Sequence, residues 1–357
     1  MARMTPRECV LAALNRELPD RIPFELSFGA FTPALMEVFV AETGSTNPAD
    51  YWNFPIRSVG HRGEPGYELW QRYGRYFPPE LPQGVTISQF GCASIPGSTL
   101  HFGRPLHPLR NATTPDEVAD YPLPDPTHPA RDVHLKGEVE ALHADDLAAQ
   151  GDVYCTLYET AWGIRGFEAF LEDLLLQQEM AEILLDRLLE IRIVQAHQMA
   201  EADVDVLRLG DDIGKQKGMI VSPTTWRQWL KPRLKRVIDS AKEVKPDIHI
   251  FYHSDGDCQA VIPDLIEIGV TVLNPIQPEC MDPVELKTTY GDRLAFWGTI
   301  GTQTTMPFGT PQEVKDTIRE RIETVGKGGG LLLAPTHILE PEVPWENILA
   351  FIEAVNK

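Results

Sequence analysis

The chain has no CxxC pair, no phosphate-binding glycine loop, no apolar run of eighteen residues and few basic side chains, and each absence closes off a class of protein. Its five cysteines, at 9, 92, 155, 258 and 280, are scattered through the sequence, which fits a reduced compartment, the cytoplasm by default, better than a disulfide framework. Without eighteen uninterrupted apolar residues nothing is expected to cross a membrane. The opening MARMTPRECVLAALNRE reads as an amphipathic helix capped by Thr5 with Glu8 three residues later, and it lacks the apolar core and cleavage site of a signal peptide. Gly326-Lys-Gly-Gly-Gly330 has no P-loop order and reads as a helix stop. With 32 Lys and Arg against 52 Asp and Glu, a net charge of −20, neither nucleic acid nor an anionic membrane surface is a natural main partner.

What is present is enough apolar material, 43% of 357 residues, to fill the core of one α/β barrel. Residues 5–19 predict the opening helix and Phe24–Ser27 a first barrel strand. From about 30 to 135 the pattern is irregular and rich in Pro and Gly. It carries two short alternating runs (84–90 and 98–102) and the Pro-rich Tyr121–Pro126, which together predict a hairpin and an arm wrapped on the barrel. A helix is expected over about 132–150. Beyond 150 apolar strand-like runs alternate with helical ones, the rhythm of βα units and a parallel sheet. The runs are Val153–Tyr158, Val204–Leu209, Ile248–Tyr252, Thr271–Asn274, Leu294–Trp297 and Gly330–Ala334. The fold expected is a (β/α)8 TIM barrel in one domain over 1–357, with the 30–135 segment as an insertion.

Most of these runs end in residues that serve no core: Glu159, Asp211 with Asp212, His253 with Asp255, Gln277 with Glu279 and Cys280, Thr302 with Gln303, and His337. The C-terminal ends of barrel strands converge on one face, so residues far apart in sequence meet in one pocket. The densest group is His253-Ser-Asp-Gly-Asp257. His253 and Asp255, two apart in an extended segment, point the same way and could grip one metal ion or hold one substrate group. Asp257 with Gly256 reads as a helix cap and turn. One of Asp211 and Asp212 reads as a turn or cap, Cys280 equally as ligand or inert buried thiol, and Gln277 and Gln303 as partners for backbone at loop bends.

Several segments resemble the uroporphyrinogen decarboxylase superfamily of (β/α)8 barrels, which holds true decarboxylases and cobalamin-dependent methyltransferases. They are Asp20-Arg-Ile-Pro23, Gly210-Asp-Asp-Ile-Gly214 with Ser222-Pro-x-x-Trp226 and Lys231-Pro232, the strand ending at His253, Trp297-Gly298, Gly309-Thr-Pro-Gln-Glu-Val314, Ala334-Pro-Thr-His337 and Pro344-Trp-Glu-Asn347. The decarboxylase branch carries an Arg-Gln-Ala-Gly-Arg motif after the first strand to hold its substrate's carboxylates. Here Ser27–Pro33 contains no arginine, which disfavours a tetrapyrrole rich in carboxylates. The methyltransferase branch binds zinc through His-x-Cys and a later Cys. At those places this chain has His253-x-Asp255 and His337, a harder donor set, with Glu279 or Cys280 as possible further ligands.

The resemblance therefore implies a zinc-assisted enzyme that moves a methyl group from a small methoxylated donor to a corrinoid (cobalamin), carried by a partner protein. Glu159, Asp211 or Asp212 would be the proton donor or would orient the ligands. Phe28, Phe31, Tyr158, Tyr252 and Trp297, with Gln277 and Gln303, would line the donor site. The alternatives are a decarboxylase or other lyase acting on a small acid or tetrapyrrole, with His253 and His337 as acid and base, and a corrinoid-binding protein without chemistry.

Overall fold

The computed structural model describes residues 3–27, 31–64, 68–97 and 103–356. Its ten strands are β1 (Ile56–Gly60), β2 (Thr86–Ile87), β3 (Ala93–Pro96), β4 (Gly103–Leu106), β5 (Ala148–Asp152), β6 (Val206–Gly210), β7 (His249–His253), β8 (Val272–Asn274), β9 (Ala295–Ile300) and β10 (Leu331–Pro335). Seven of them form one parallel sheet in the order β1-β5-β6-β7-β8-β9-β10, and β2-β3-β4 form a small antiparallel sheet. Phe24 bridges in parallel to Leu333, with the Glu25 N–H donating to the Leu333 carbonyl and the Leu333 N–H to that of Pro23. The expected first strand thus lies beside the last, and the eight extended segments give the (β/α)8 TIM-barrel architecture. Between that segment and β1 the Phe24 and Phe54 rings meet edge-on at 5.8 Å.

Alternation along each strand sorts its side chains into two layers. Phe251, Val272, Ala295 and Trp297 point inward and form one cluster with Val10 and Leu14 of the helix Pro6–Leu14, which plugs the N-terminal end of the barrel. Their strand neighbours, among them Leu207, Ile250, Tyr252 and Leu333, point outward into the main core beneath the helices. The plug helix begins as its sequence dictates: the Thr5 hydroxyl accepts the Glu8 N–H while the Glu8 carboxylate accepts the Thr5 N–H. It stops at Leu14, short of 19, because Arg16 turns into the left-handed region at φ +63°.

The later strands lie within three residues of their expected positions, and the first run of that series does not. The expected strand Val153–Tyr158 is instead a loop leading into the helix Tyr158–Arg165, and the barrel strand is Ala148–Asp152, where a helix was expected to continue. The Ala-Ala-Gln-Gly sequence of β5 has little β propensity. It works as a strand because small side chains fit between two layers, and a Cβ on Gly151 would come within 2.8 Å of the Met199 sulfur. The helix expected over 132–150 is confined to Leu135–Ala144. The 30–135 segment is likewise more than an arm, since it supplies barrel strand β1 and several short helices. Its hairpin is a three-stranded sheet that includes Ala93–Pro96, while the expected run 98–102 lies outside the described residues.

Close approach at the C-terminal mouth depends on one glycine. A Cβ on Gly210, the last residue of β6, would lie 2.6 Å from that of His253, so only glycine lets the β6 and β7 ends run side by side there.

Candidate functional site

Strand β7 ends at His253, whose ring continues the inward face of Phe251 two residues earlier and is 1% exposed. Its Nδ1 lies 2.6 Å from the Asn274 side-chain oxygen at the end of β8, and the Asn274 amide donates to the Trp297 carbonyl at 3.0 Å. That second bond orients the amide, so its oxygen faces the imidazole and Nδ1 carries the hydrogen. Nε2 is thereby turned towards two carboxylates, with Asp212 Oδ1 at 3.4 Å and Asp255 Oδ1 at 3.8 Å. The Asp255 N–H also donates to Asp212 at 2.8 Å, locking the loops after β6 and β7 together. Gly256, at φ +76°, makes the turn that follows, and Asp257 accepts the Gln259 N–H at 3.1 Å, although the N-cap of the short 3-10 turn Gln259–Val261 is Cys258 and not Asp257 as expected.

Among the described residues, Asp212, His253 and Asp255 are the group able to present three ligand atoms to one ion, those atoms lying within 4.8 Å of one another. Burial alone would disfavour charge on His253, but the hydrogen bond to Asp212 and the charges of Asp255 and Asp212 outweigh it and raise its pKa to about 9. Asp212 is held below the usual carboxylate range despite its own burial, chiefly by His253. Asp255 is pushed up by burial, and its buried Oδ1 has no hydrogen-bond partner. The His253 imidazolium supplies a counter-charge at 3.8 Å but no hydrogen bond to this oxygen, which leaves Asp255 Oδ1 free to bond a metal ion that displaces the imidazole proton. The donor set therefore fits a divalent metal.

Of the remaining expected site residues that are described, some lie near this group and others in the core away from it. His337 is nearest, with Nε2 3.8 Å from Asp255 Oδ2 and its side chain 44% exposed. Glu279 accepts from the Thr304 hydroxyl at 2.8 Å, and Cys280 lies 3.7 Å from the Gln277 side-chain oxygen, which also accepts the Gly256 N–H at 2.6 Å. Gln303 pairs with Gln216 across the mouth at 2.8 Å. Asp211 faces away and accepts the N–H groups of Leu157 and Glu159 at 3.0 and 2.9 Å, capping the helix Tyr158–Arg165 from another segment. Tyr252 lies in the outer core, Tyr158 packs on Phe170, and Trp297 donates to Glu25 inside the barrel. Phe31 sits in an aromatic group with Phe39 and Trp52, and Phe28 lies outside the described residues.

Glu159 is in the first turn of a helix, where its carboxylate accepts the Asp212 N–H at 3.1 Å. Burial, followed by the charges of Asp212 and Asp211, lifts its pKa to about 8, so it carries a proton at neutral pH. It borders a cavity of about 560 Å³ that extends to the small sheet β2-β3-β4 and is lined by none of Asp212, His253 and Asp255. Tyr154 lines the same cavity and sets its ring edge-on to His253 at 5.6 Å.

Asn274 and Tyr154 are the site residues that sequence reading missed. Asn274 had a signal, a lone amide closing an apolar run. Tyr154 was hidden inside a run assigned to a strand. If Asn274 fixes the imidazole, Asn274→Ala is expected to weaken zinc affinity about 10- to 100-fold in a chelator competition. Asn274→Asp, which keeps an acceptor for Nδ1, is expected to restore most of it.

The sequence profile of the uroporphyrinogen decarboxylase (URO-D) family matches residues 153–357, more than half of the chain. The chain belongs to the uroporphyrinogen decarboxylase family. Among solved structures it is similar to a methyltransferase from Methanosarcina mazei, with 18% identity and a TM-score of 0.68 over 99% of each chain. It also matches an α-amylase from Geobacillus thermoleovorans at 14% identity and a TM-score of 0.39, over 65% of this chain and 63% of that one. No curated protein sequence matches it. The URO-D match contains the whole Asp212, His253, Asp255 and His337 constellation, whereas the β2-β3-β4 side of the cavity lies before it. No helix among the described residues is long and apolar enough to cross a membrane.

Proposed function

We propose that this URO-D family chain is a zinc-assisted methyltransferase that moves a methyl group from a small methoxylated donor to a reduced corrinoid carried by a partner protein. The observation that carries the reading is the Asp212–His253–Asp255 group at the barrel mouth, three ligand atoms within 4.8 Å of one another, with an Asp255 oxygen that has no hydrogen-bond partner. The full-length likeness to a methyltransferase fold and the absence of arginine from Ser27–Pro33 support it. A tetrapyrrole with many carboxylates has no cations to meet there.

Asp212, His253 and Asp255 would hold the metal, with His337 the nearest further donor. A bound zinc would supply Lewis acidity towards the donor's oxygen. The donor's carbon–oxygen bond breaks with its electron pair left on oxygen. The methyl passes to the cobalt(I) of the corrinoid, which supplies the pair of the new carbon–cobalt bond and is oxidised to cobalt(III). Glu159 holds the proton that the departing oxygen takes up. Tyr154 and Asn274 keep the imidazole in place.

The test is single-turnover mixing of the zinc-loaded protein with cobalt(I) cobalamin and a panel of methyl ethers, following loss of the cobalt(I) spectrum. Methylcobalamin formation is expected, falling at least 100-fold in Glu159→Gln. Carbon dioxide release from an acid with no methylation of cobalt would instead establish the lyase reading.

A further inference from the structure

The expected pocket residues Tyr158, Tyr252 and Trp297 are in the core or the barrel interior, which leaves the donor's place to be found from the cavities. The cavity of about 560 Å³ that Glu159 and Tyr154 border is walled by Phe90, Cys92, Ala93, Pro105, Val153 and Trp162. Aromatic rings and small apolar groups suit a flat ring as occupant. Glu159 accepts the Asp212 N–H at 3.1 Å and the Tyr154 ring meets His253 at 5.6 Å, so these two residues link the cavity to the metal group.

The cavity is poor in positive charge. Among the described residues Arg192 is the one lysine or arginine lining it, and its guanidinium is committed elsewhere. It donates to the carbonyls of Thr156 and Cys155 at 2.7 Å each, to the Gln195 side-chain oxygen at 2.8 Å and to the Thr160 hydroxyl at 2.9 Å, and it lies over the Phe90 ring at 4.7 Å. His61, at the far end, is bonded to Gln198 at 2.9 Å, and burial lowers its pKa to about 4, leaving it neutral. Asp152 and Glu159 also line the cavity. A carboxylate on the ligand would be desolvated there beside acidic groups with no cation to pair it.

We propose that this cavity is the donor site, and that it takes a neutral methoxylated arene, such as a methoxyphenol, in preference to a methoxybenzoate. The proposal rests on the methyl-transfer reading for its chemistry, and on the wall residues and the engaged Arg192 for its selectivity. The methoxy group lies at the Glu159 and Tyr154 end and the ring lies between Phe90 and Trp162.

The test is calorimetric titration of the zinc-loaded full chain with 2-methoxyphenol and with 4-hydroxy-3-methoxybenzoate, which differ by one carboxylate. The neutral compound is expected to bind at least tenfold more tightly. Trp162→Ala is expected to weaken it about tenfold, and Ala93→Phe, which fills the cavity, to abolish it with zinc content unchanged. Equal or tighter binding of the benzoate would overturn the charge argument. If methanol methylates cobalt(I) while neither ring binds, the aromatic site is wrong and methyl transfer stands. Binding of 2-methoxyphenol that Trp162→Ala weakens, with no methylation of cobalt from any donor, would keep the site and remove the reaction.

Discussion

Protein purified without chelators is expected to carry close to one zinc per chain, and His253→Ala or Asp255→Ala to reduce that to less than about a tenth, as read by elemental analysis. The three ligand atoms lie within 4.8 Å of one another and come from the ends of two adjacent strands, β6 and β7. Removing one leaves too few donors for a catalytic zinc site, which normally uses three protein ligands and one open position. His337 offers a sharper contrast. Its Nε2 is 3.8 Å from Asp255 and its side chain is partly in solvent, so His337→Ala should lower affinity without emptying the site. A loss as complete as that of His253→Ala would make His337 a ligand. The sign of the pH dependence follows from His253, whose pKa is raised to about 9. The metal must displace the Nε2 proton, so apparent affinity should fall by roughly tenfold for each unit below that pH. Zinc at about 1,000 times its Kd should add about 4 kcal/mol to stability. A wild-type protein that neither carries nor takes up zinc would sink the metal-assisted mechanism.

The largest stability effect is expected at the opposite end of the barrel, from Asp205→Ala. Asp205 precedes β6 at the N-terminal face, its side chain 2% exposed. One carboxylate there accepts from Arg7 Nη2 at 2.7 Å, from the Ala149 N–H at 2.9 Å and from His143 Nε2 at 3.0 Å. It ties the plug helix, the helix Leu135–Ala144 and strand β5 to β6. Burial opposes the charge, yet the Arg7 bond, the Ala149 N–H and the charges of Arg7 and His143 hold its pKa below the ordinary value. A depressed carboxylate contributes stability that is present above its unfolded pKa and lost as pH falls through the folded one. Truncating it leaves three donors facing an apolar hole, a change that costs about 3–5 kcal/mol for buried pairs. The melting temperature should drop by roughly 4–7 °C at neutral pH, with zinc content per folded chain unchanged. Arg7→Ala should cost less, because its side chain is 30% exposed and Asp205 keeps two other donors. A shift of under 2 °C for Asp205→Ala would mean that the plug does not depend on this carboxylate.

The two sites divide the barrel as its geometry requires: charged groups beneath the strands secure the fold, and those above them serve chemistry. Both are carboxylates next to histidines, and composition does not tell them apart. His143 with Asp205 is satisfied by arginine and backbone, whereas the Asp255 oxygen beside His253 is left without a partner. That difference is spatial, and it is what points to a cation at one and not the other.

The sequence by itself determined the barrel, most of its strands and the residues at the mouth. Apolar runs buried on both faces are continuous and easily read, and a run that stops at His253 or His337 announces a strand end. It also determined that Thr5 and Glu8 would cap the plug helix, since capping is a contact between near neighbours. Where packing outweighed propensity the sequence misled, as at Ala148–Asp152, whose small residues form a strand only because Met199 and the adjacent strands leave no room for larger ones. Tertiary structure alone decided which carboxylates meet. Asp211 and Asp212 are neighbours in the chain, yet one caps a helix and the other faces His253, because successive side chains leaving a strand point in opposite directions and only the folded barrel fixes which direction holds the site.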